Sequence, residues 1–97
     1  MSGMNSDYFD SEIFKVLGEE ARIDILNILG KQELNVSEIA DKVKISRPTV
    51  SHHMQILKRA GVVFSRREGK EIYYSVNMTA FTSLARVILG FVNTGKF

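Results

Sequence analysis

The fold is decided by the stretch from Ser46 to Gly61, SRPTVSHHMQILKRAG. Ser46 is a favourable N-cap, Pro48 is tolerated in the first turn of a helix, and Gly61 can end the helix in the left-handed conformation. One side of this helix has the i, i+3, i+4, i+7 spacing of a buried stripe, formed by Val50, His53, Met54 and Leu57. The stretch therefore predicts one amphipathic helix with a single face in a core.

The other side of this helix has short polar and cationic side chains. Its members are Pro48, Ser51, His52, Gln55 and Arg59, with Arg47 and Thr49 beside them. Hydroxyl, imidazole, amide and guanidinium groups near the N-terminal end of a helix suit base edges and phosphates in the major groove of DNA. We therefore predict a DNA recognition helix whose contacts come from Arg47, Pro48, Thr49, Ser51, His52 and Gln55.

Each of these residues can also be explained without a contact to DNA. Arg47 is the best candidate for recognising guanine or phosphate, and a capping role or a surface ion pair is the alternative. For Thr49, Ser51, His52 and Gln55 the alternative is a solvated polar side chain. His53 is interpreted as a partly buried structural histidine. Because adjacent residues of a helix point about 100° apart, His52 and His53 cannot chelate one metal ion together.

The positive charge of the chain is concentrated around the same helix. Residues 1–41 hold three lysines and arginines against nine acidic residues, whereas residues 42–70 hold eight against Glu68 alone. Residues 71–97 hold Arg86 and Lys96 against Glu71. A solvated basic surface is one interpretation, but the coincidence with the recognition helix favours a nucleic acid partner, since neutralised phosphates release counterions.

Three helices are expected ahead of the recognition helix, at about Asp10–Leu17, Glu19–Leu29 and Ser37–Val43. The last of them is joined to the recognition helix by the turn 44–46. Two short helices joined by a turn of about three residues form a helix-turn-helix. Lys44 occupies a turn position that tends to take a positive φ, which costs about 1 kcal/mol relative to glycine.

After Gly61 the pattern becomes that of a β-hairpin. Val62–Arg67 and Glu71–Val76 are rich in β-branched and aromatic residues, and Glu68-Gly69-Lys70 separates them. We call this hairpin the wing, and we expect its cations to reach sugar-phosphate or the minor groove, with a solvated turn as the alternative. These cations are Arg66, Arg67 and Lys70, whereas Tyr73 and Tyr74 are expected to pack within the sheet.

The last helix is expected from about Ala80 to Val92, capped by Asn77 or Thr79. Its apolar positions extend most of the way round the helix. A helix of this kind in a small protein must be buried on two sides. One side can face its own domain, and a second copy of the chain most simply covers the other.

The segment from Leu17 through Asn77 resembles the ArsR/SmtB family of bacterial winged-helix repressors. The resemblance rests on ARIDIL at 21–26, ELNVSEIA at 33–40, SRPTVSHHM at 46–54, LKRAGVV at 57–63 and the wing. It implies one mainly helical winged helix-turn-helix domain over residues 1–97, with about five helices and a disordered tail at 1–8. It also implies a homodimer, and repression at a near-palindromic operator that an effector relieves. The expected dimer contacts, on the first and last helices, are Phe9, Ile13, Phe14, Leu17, Leu84, Ile88 and Phe91.

The sequence departs from the family where its metal sensors bind metal. Thiol sensors have a Cys-Val-Cys-like element where this chain has Asn35-Val36-Ser37, and neither Asn35 nor Ser37 is a ligand for a soft metal. Other members bind zinc or nickel through aspartate and histidine on the last helix, yet Ala80–Phe97 contains no histidine, aspartate or glutamate. We therefore expect no metal and no cofactor. The expected effector is a small organic ligand, a partner protein or the protein's own concentration.

Composition excludes several other classes of function. The chain has no cysteine, which rules out disulfides and thiolate chemistry, and its 97 residues with 44% hydrophobic content suit one small domain. It has no run of 18 apolar residues and no secretory leader, so we expect a cytoplasmic protein that does not insert into membranes. The family resemblance implies a bacterial or archaeal source. A protein-interaction module that does not bind DNA is the main alternative. An enzyme is disfavoured because no nucleophile–base pair, phosphate loop or metal-ligand spacing is present.

Overall fold

The computed structural model describes residues 11–94, which form five helices and three strands. The predictions for residues 1–8 and for Phe9 lie outside the described residues. Predicted and observed helices agree in number, order and type. The elements are α1 (Glu12–Leu17), α2 (Glu20–Leu29), β1 (Leu34–Asn35), α3 (Val36–Val43), α4 (Arg47–Arg59), β2 (Val63–Glu68), β3 (Glu71–Val76) and α5 (Met78–Thr94).

The core is formed where α2, α3 and α4 meet the inner face of the sheet. Its fully buried side chains are Ile25, Leu29, Ile39, Val50, Met54, Leu57 and Val62. The stripe predicted for α4 is confirmed, since Val50, Met54 and Leu57 are inaccessible to solvent and His53 is 8% exposed. Burying this stripe stabilises α4 and leaves its opposite face to solvent.

The helix-turn-helix is fixed by caps at both ends of α3. Asn35 Oδ1 accepts from the Glu38 amide at 2.9 Å, and Glu38 Oε1 accepts from the Asn35 amide at 2.9 Å. This capping box starts α3 at Val36, one residue earlier than predicted. At the other end Lys44 has φ 62° and ψ 42°, so the expected left-handed turn is confirmed with a lysine in that position.

The sheet has one strand more than the predicted hairpin. Its order is β1-β3-β2, all antiparallel, with Leu34 opposite Tyr74 and Asn35 opposite Tyr73. The wing turn is also tighter than predicted, because Glu68 and Glu71 pair and only Gly69 and Lys70 lie between the strands. Gly69 has φ 62° and Lys70 does not have a positive φ, as a type II′ turn requires.

Helix α5 extends beyond the predicted limits at both ends. Of the two predicted caps, Asn77 and Thr79, the structure has Asn77. Its Oδ1 accepts from the Ala80 amide at 3.3 Å, and its Nδ2 donates to the Gly61 carbonyl at 2.9 Å. Ala80 and Phe81, near the start of α5, pack against the core. Towards its other end the helix exposes large apolar side chains, namely Ile88, Leu89, Phe91 and Val92.

Candidate nucleic-acid interface

The N-terminal turn of α4 is held by hydroxyl groups. Ser46 Oγ accepts from the Thr49 amide at 3.4 Å and donates to Thr49 Oγ1 at 2.9 Å. Pro48 fits the first turn because the amide that it lacks would have no partner within the helix. The Thr49 hydroxyl therefore takes part in the cap and keeps its own proton for a further acceptor.

The polar side of α4 faces solvent. The exposed residues are Arg47, Pro48, Thr49, His52 and Gln55, and Ser51 is half-buried. None of these six side chains is placed in the core, as the spacing of the buried stripe predicts. Their contacts with DNA stay a prediction.

An open groove of about 400 Å³ separates the start of α4 from the wing. Four of the predicted contact residues line it, Arg47, Pro48 and Ser51 from α4 and Lys70 from the wing turn. Val36 and Ser37 at the start of α3 and Glu71 and Ile72 of β3 complete the lining. The fold therefore brings the recognition helix and the wing to the same concave surface, although they are distant in sequence.

Arg66 differs from the other wing cations because two carboxylates hold it. Its Nη2 lies 2.8 Å from Glu33 Oε1, and its Nη1 lies 2.8 Å from Glu68 Oε1. The guanidinium lies over the Tyr73 ring, 4.9 Å from its centroid. The hydrogen bonds that Arg66 donates to Glu33 and then to Glu68 raise the pKa of Arg66 above its usual value. Arg66 therefore already has two acidic partners within the protein.

Arg67 and Lys70 remain open to solvent. Arg67 Nη1 donates to the Gly69 carbonyl at 3.4 Å, and both side chains are exposed. Within residues 11–94 neither forms an ion pair. Arg67 and Lys70 can therefore contact phosphates without first breaking an ion pair.

His53 lies inside, as predicted, and is satisfied by a residue that sequence reasoning did not single out. Arg22 Nε donates to His53 Nδ1 at 3.1 Å, and Arg22 Nη1 donates to the Val16 carbonyl at 3.1 Å. Burial first, and then the positive charge of Arg22, lower the pKa of His53 below 6.5. His53 is therefore neutral at pH 7 and accepts a hydrogen bond from α2.

Two further residues of the site, Arg22 and Glu33, were missed from the sequence, and so was the capping box that starts α3. Glu33 and Arg22 act on residues more than thirty positions away, and no local pattern indicates such pairing. The Asn35-x-x-Glu38 spacing, by contrast, is a recognisable variant of the capping box and could have placed the start of α3.

The described part of the chain contains no group of three or more histidine, cysteine, aspartate or glutamate side chains placed to hold a metal ion. In the same residues, no helix has the length and apolar character needed to cross a bilayer.

A helix-turn-helix followed by a two-stranded wing, with the exposed face of its second helix beside the wing, is a winged helix-turn-helix. The fold and the site define the class as DNA-binding transcription regulators. A family model for bacterial regulatory proteins of the arsR family matches residues 19–65. The chain is also 36% identical over 85 residues to the transcriptional repressor SdpR of Bacillus subtilis, covering 88% of this chain and 94% of that protein. The chain belongs to the ArsR family, which consists of transcription regulators and not of enzymes.

Solved structures agree with this assignment. A homodimeric winged helix-turn-helix DNA-binding domain from Mycobacterium bovis is 30% identical, with a TM-score of 0.68 over 84% of this chain and 78% of that one. An ArsR-like transcriptional regulator from Rhodococcus is 27% identical, with a TM-score of 0.80 over 87% of this chain and 77% of that one. The expectations for the fold class and for the family are confirmed.

Proposed function

We propose that this chain is a homodimeric repressor that binds a near-palindromic operator with α4 in the major groove and the wing beside it. The observation that supports this most directly is the groove between Arg47, Ser51 and Lys70, which joins the polar face of α4 to the wing tip. A two-fold dimer would present two such surfaces to half-sites about 34 Å apart.

The proposed contacts divide into those that select sequence and those that bind any duplex. Arg47, Pro48, Thr49, Ser51, His52 and Gln55 lie on the exposed side of α4 and suit base edges and nearby phosphates. Arg67 and Lys70 suit the DNA backbone. Arg66 is a weaker candidate for a backbone contact, because it must exchange Glu33 and Glu68 for phosphate.

The proposed dimer contacts come from α1 and α5. Phe14 is 50% exposed, Ile88 is 42% exposed and Phe91 is 43% exposed, whereas Ile13, Leu17 and Leu84 are half-buried. An apolar surface of this kind on a small protein marks an interaction site. A second copy of the chain would cover these side chains.

The effector is proposed to be something other than a metal ion. Asn35, at the position of the thiol sensors' ligands, has its side-chain oxygen bound to the Glu38 amide. A small organic ligand, a partner protein or the protein's own concentration would then relieve repression. A regulator of this kind would act in the cytoplasm, on the nucleoid.

The test is a mobility shift with the duplex that lies upstream of the chain's own gene and with a shuffled duplex of the same composition. We expect tighter binding to the first, and a salt dependence equivalent to on the order of 6–10 phosphate contacts per dimer. Equal affinity for both duplexes would contradict the proposed operator. No shift with either duplex at low salt would instead favour a protein-interaction module.

A further inference from the structure

Arg22 joins three helices through one guanidinium group. It belongs to α2, its Nη1 binds the carbonyl of Val16 in α1, and its Nε binds the imidazole of His53 in α4. Val16 is 3% exposed and His53 is 8% exposed, so both bonds lie next to the core. Because the donors of a guanidinium are fixed in one plane, the two bonds set the positions of α1 and α4 together.

Each of the two bonds satisfies a group that needs a partner. Val16 lies in the last turn of α1, where main-chain carbonyls have no partner within the helix and where a cation is favoured by the helix dipole. His53 lies on the buried stripe of α4, where an unsatisfied imidazole nitrogen would be costly. Removing Arg22 therefore affects the end of α1 and the middle of α4 at once.

We propose that Arg22 is a positioning residue for DNA binding, holding the recognition helix α4 in register with α1 through the unprotonated Nδ1 of His53. This inference rests on the proposed function, because α1 carries proposed dimer contacts and α4 the proposed DNA contacts. It adds that Arg22 links the proposed dimer contacts of α1 to the proposed DNA contacts of α4, and that protonation of the His53 imidazole breaks this link.

The protonation step follows from the hydrogen-bond inventory of the two side chains. Arginine only donates, so His53 can accept from it only while Nδ1 has no proton. A proton on Nδ1 would set two donors and two positive charges against each other. Burial is the largest cause that lowers the pKa of His53. Of the charged groups that act on it, Arg22 and His52 also oppose protonation, whereas Glu19 at the N-cap of α2 favours it. The bond is therefore intact at pH 7 and is lost on the acid side.

The first test observes the unmodified protein by nitrogen NMR of the two imidazoles. We expect His53 to be the Nε2–H tautomer at neutral pH, with Nδ1 accepting a hydrogen bond, and to have a pKa below 6.5, the ordinary value for an imidazole. An Nδ1–H tautomer of His53, or a pKa of His53 above its ordinary value, would overturn the proposal.

The second test measures operator affinity against pH in the unmodified protein and in His53→Asn. The variant keeps an acceptor near the position of Nδ1 without a titrating group, and both proteins have His52, so His53 accounts for the difference between their profiles. We expect the unmodified protein to lose about tenfold more affinity than the variant as the pH falls from 7.5 through the folded pKa of His53, because the bond from a charged donor is lost. At pH 7.5 the two affinities should agree within about twofold.

Arg22→Met should lower operator affinity about tenfold at pH 7.5 while leaving a cooperative unfolding transition. Identical pH profiles for the parent and the His53→Asn variant, or full affinity for Arg22→Met, would overturn the positioning role. Failure of the proposed function looks different, because no variant would then prefer the operator over the shuffled duplex at any pH. The tautomer measurement would still decide the Arg22–His53 link in that case.

Discussion

Arg66 and Glu33 are 33 positions apart in the sequence, and Arg66 Nε lies 2.9 Å and 2.8 Å from the two carboxylate oxygens of Glu33. The pair joins β2 of the wing to the residue that precedes β1, on the side of the sheet where Tyr73 lies. It links the wing to the segment that leads into α3. It also gives one of the three wing cations an acidic partner within the protein.

We therefore expect Lys70 and Arg66 to differ in a salt titration. Lys70→Ala should lower the slope of log affinity against log salt by about one per protomer for operator and shuffled duplex alike. Arg66→Ala should lower it by less, because Glu33 and Glu68 already offset its charge. Glu33→Gln should raise affinity for both duplexes. Equal losses of slope for Lys70→Ala and Arg66→Ala would show that Arg66 leaves its carboxylates on binding.

Arg47 is expected to contribute to sequence discrimination. Its side chain is exposed in the first turn of α4 and lines the groove beside the wing. Arg47→Ala should reduce the preference for operator over mismatched duplex by about 1–3 kcal/mol. Arg59→Ala is the matched control, since Arg59 is equally cationic but lies in the last turn of α4. Competition binding with both duplexes measures the effect, and similar losses for the two variants would reject the base-contacting role.

Two positive-φ positions predict opposite changes in stability. Lys44 has φ 62° with a side chain, so Lys44→Gly should raise the free energy of unfolding by about 1 kcal/mol. Gly61 has φ 81° with open space around it, so Gly61→Ala should lower the same quantity by about 1 kcal/mol through backbone strain alone. Urea denaturation measures both. A stability loss in Lys44→Gly would show that the lysine side chain contributes more than its backbone conformation costs.

The proposed dimer can be tested with one charge on α5. Ile88→Asp should leave the fold of the chain intact, because Ile88 is 42% exposed, and should give a monomer in sedimentation at micromolar concentration. Operator affinity should then fall, since each half-site would be bound separately. Phe64→Asp is the control for a charge placed on an exposed apolar site, because Phe64 is 57% exposed on the wing and outside the proposed interface. A dimeric Ile88→Asp would rule out this face.

The free energy of unfolding should depend on pH through His53. The folded protein holds the pKa of His53 below 6.5, chiefly through burial, so the unfolded chain binds the proton more readily. The contribution of His53 is therefore fully present above about pH 6.5 and is lost as pH falls through the lower folded pKa. His53→Asn should remove this part of the pH dependence in chemical denaturation. An unchanged profile in that variant would assign the dependence to the carboxylates.

Most of the elements could be predicted because their causes are local. The stripe Val50, His53, Met54 and Leu57 repeats with the helical period, and Ser46 and Gly61 mark the two ends of α4. The alternation around Gly69 predicts the hairpin in the same way. The limits of α3 and α5 were less accurate, because Asn35 and Asn77 cap one or two residues earlier than the apolar pattern begins.

The strand β1 could not be predicted in this way. It consists of Leu34 and Asn35 alone, and two residues show no alternation. It exists because β3 offers Tyr73 and Tyr74 as partners some forty positions later. The same holds for the groove, whose lining combines the starts of α3 and α4 with the wing turn.

By itself the sequence determined the helices, the hairpin, the buried stripe of α4 and the concentration of positive charge in residues 42–70, because periodicity, caps and composition act over a few residues. The tertiary structure alone decided which cations stay open to solvent and which are held. Nothing local selects Glu33 for Arg66 or Arg22 for His53. Those pairs form because packing of the apolar faces brings distant elements within hydrogen-bond distance.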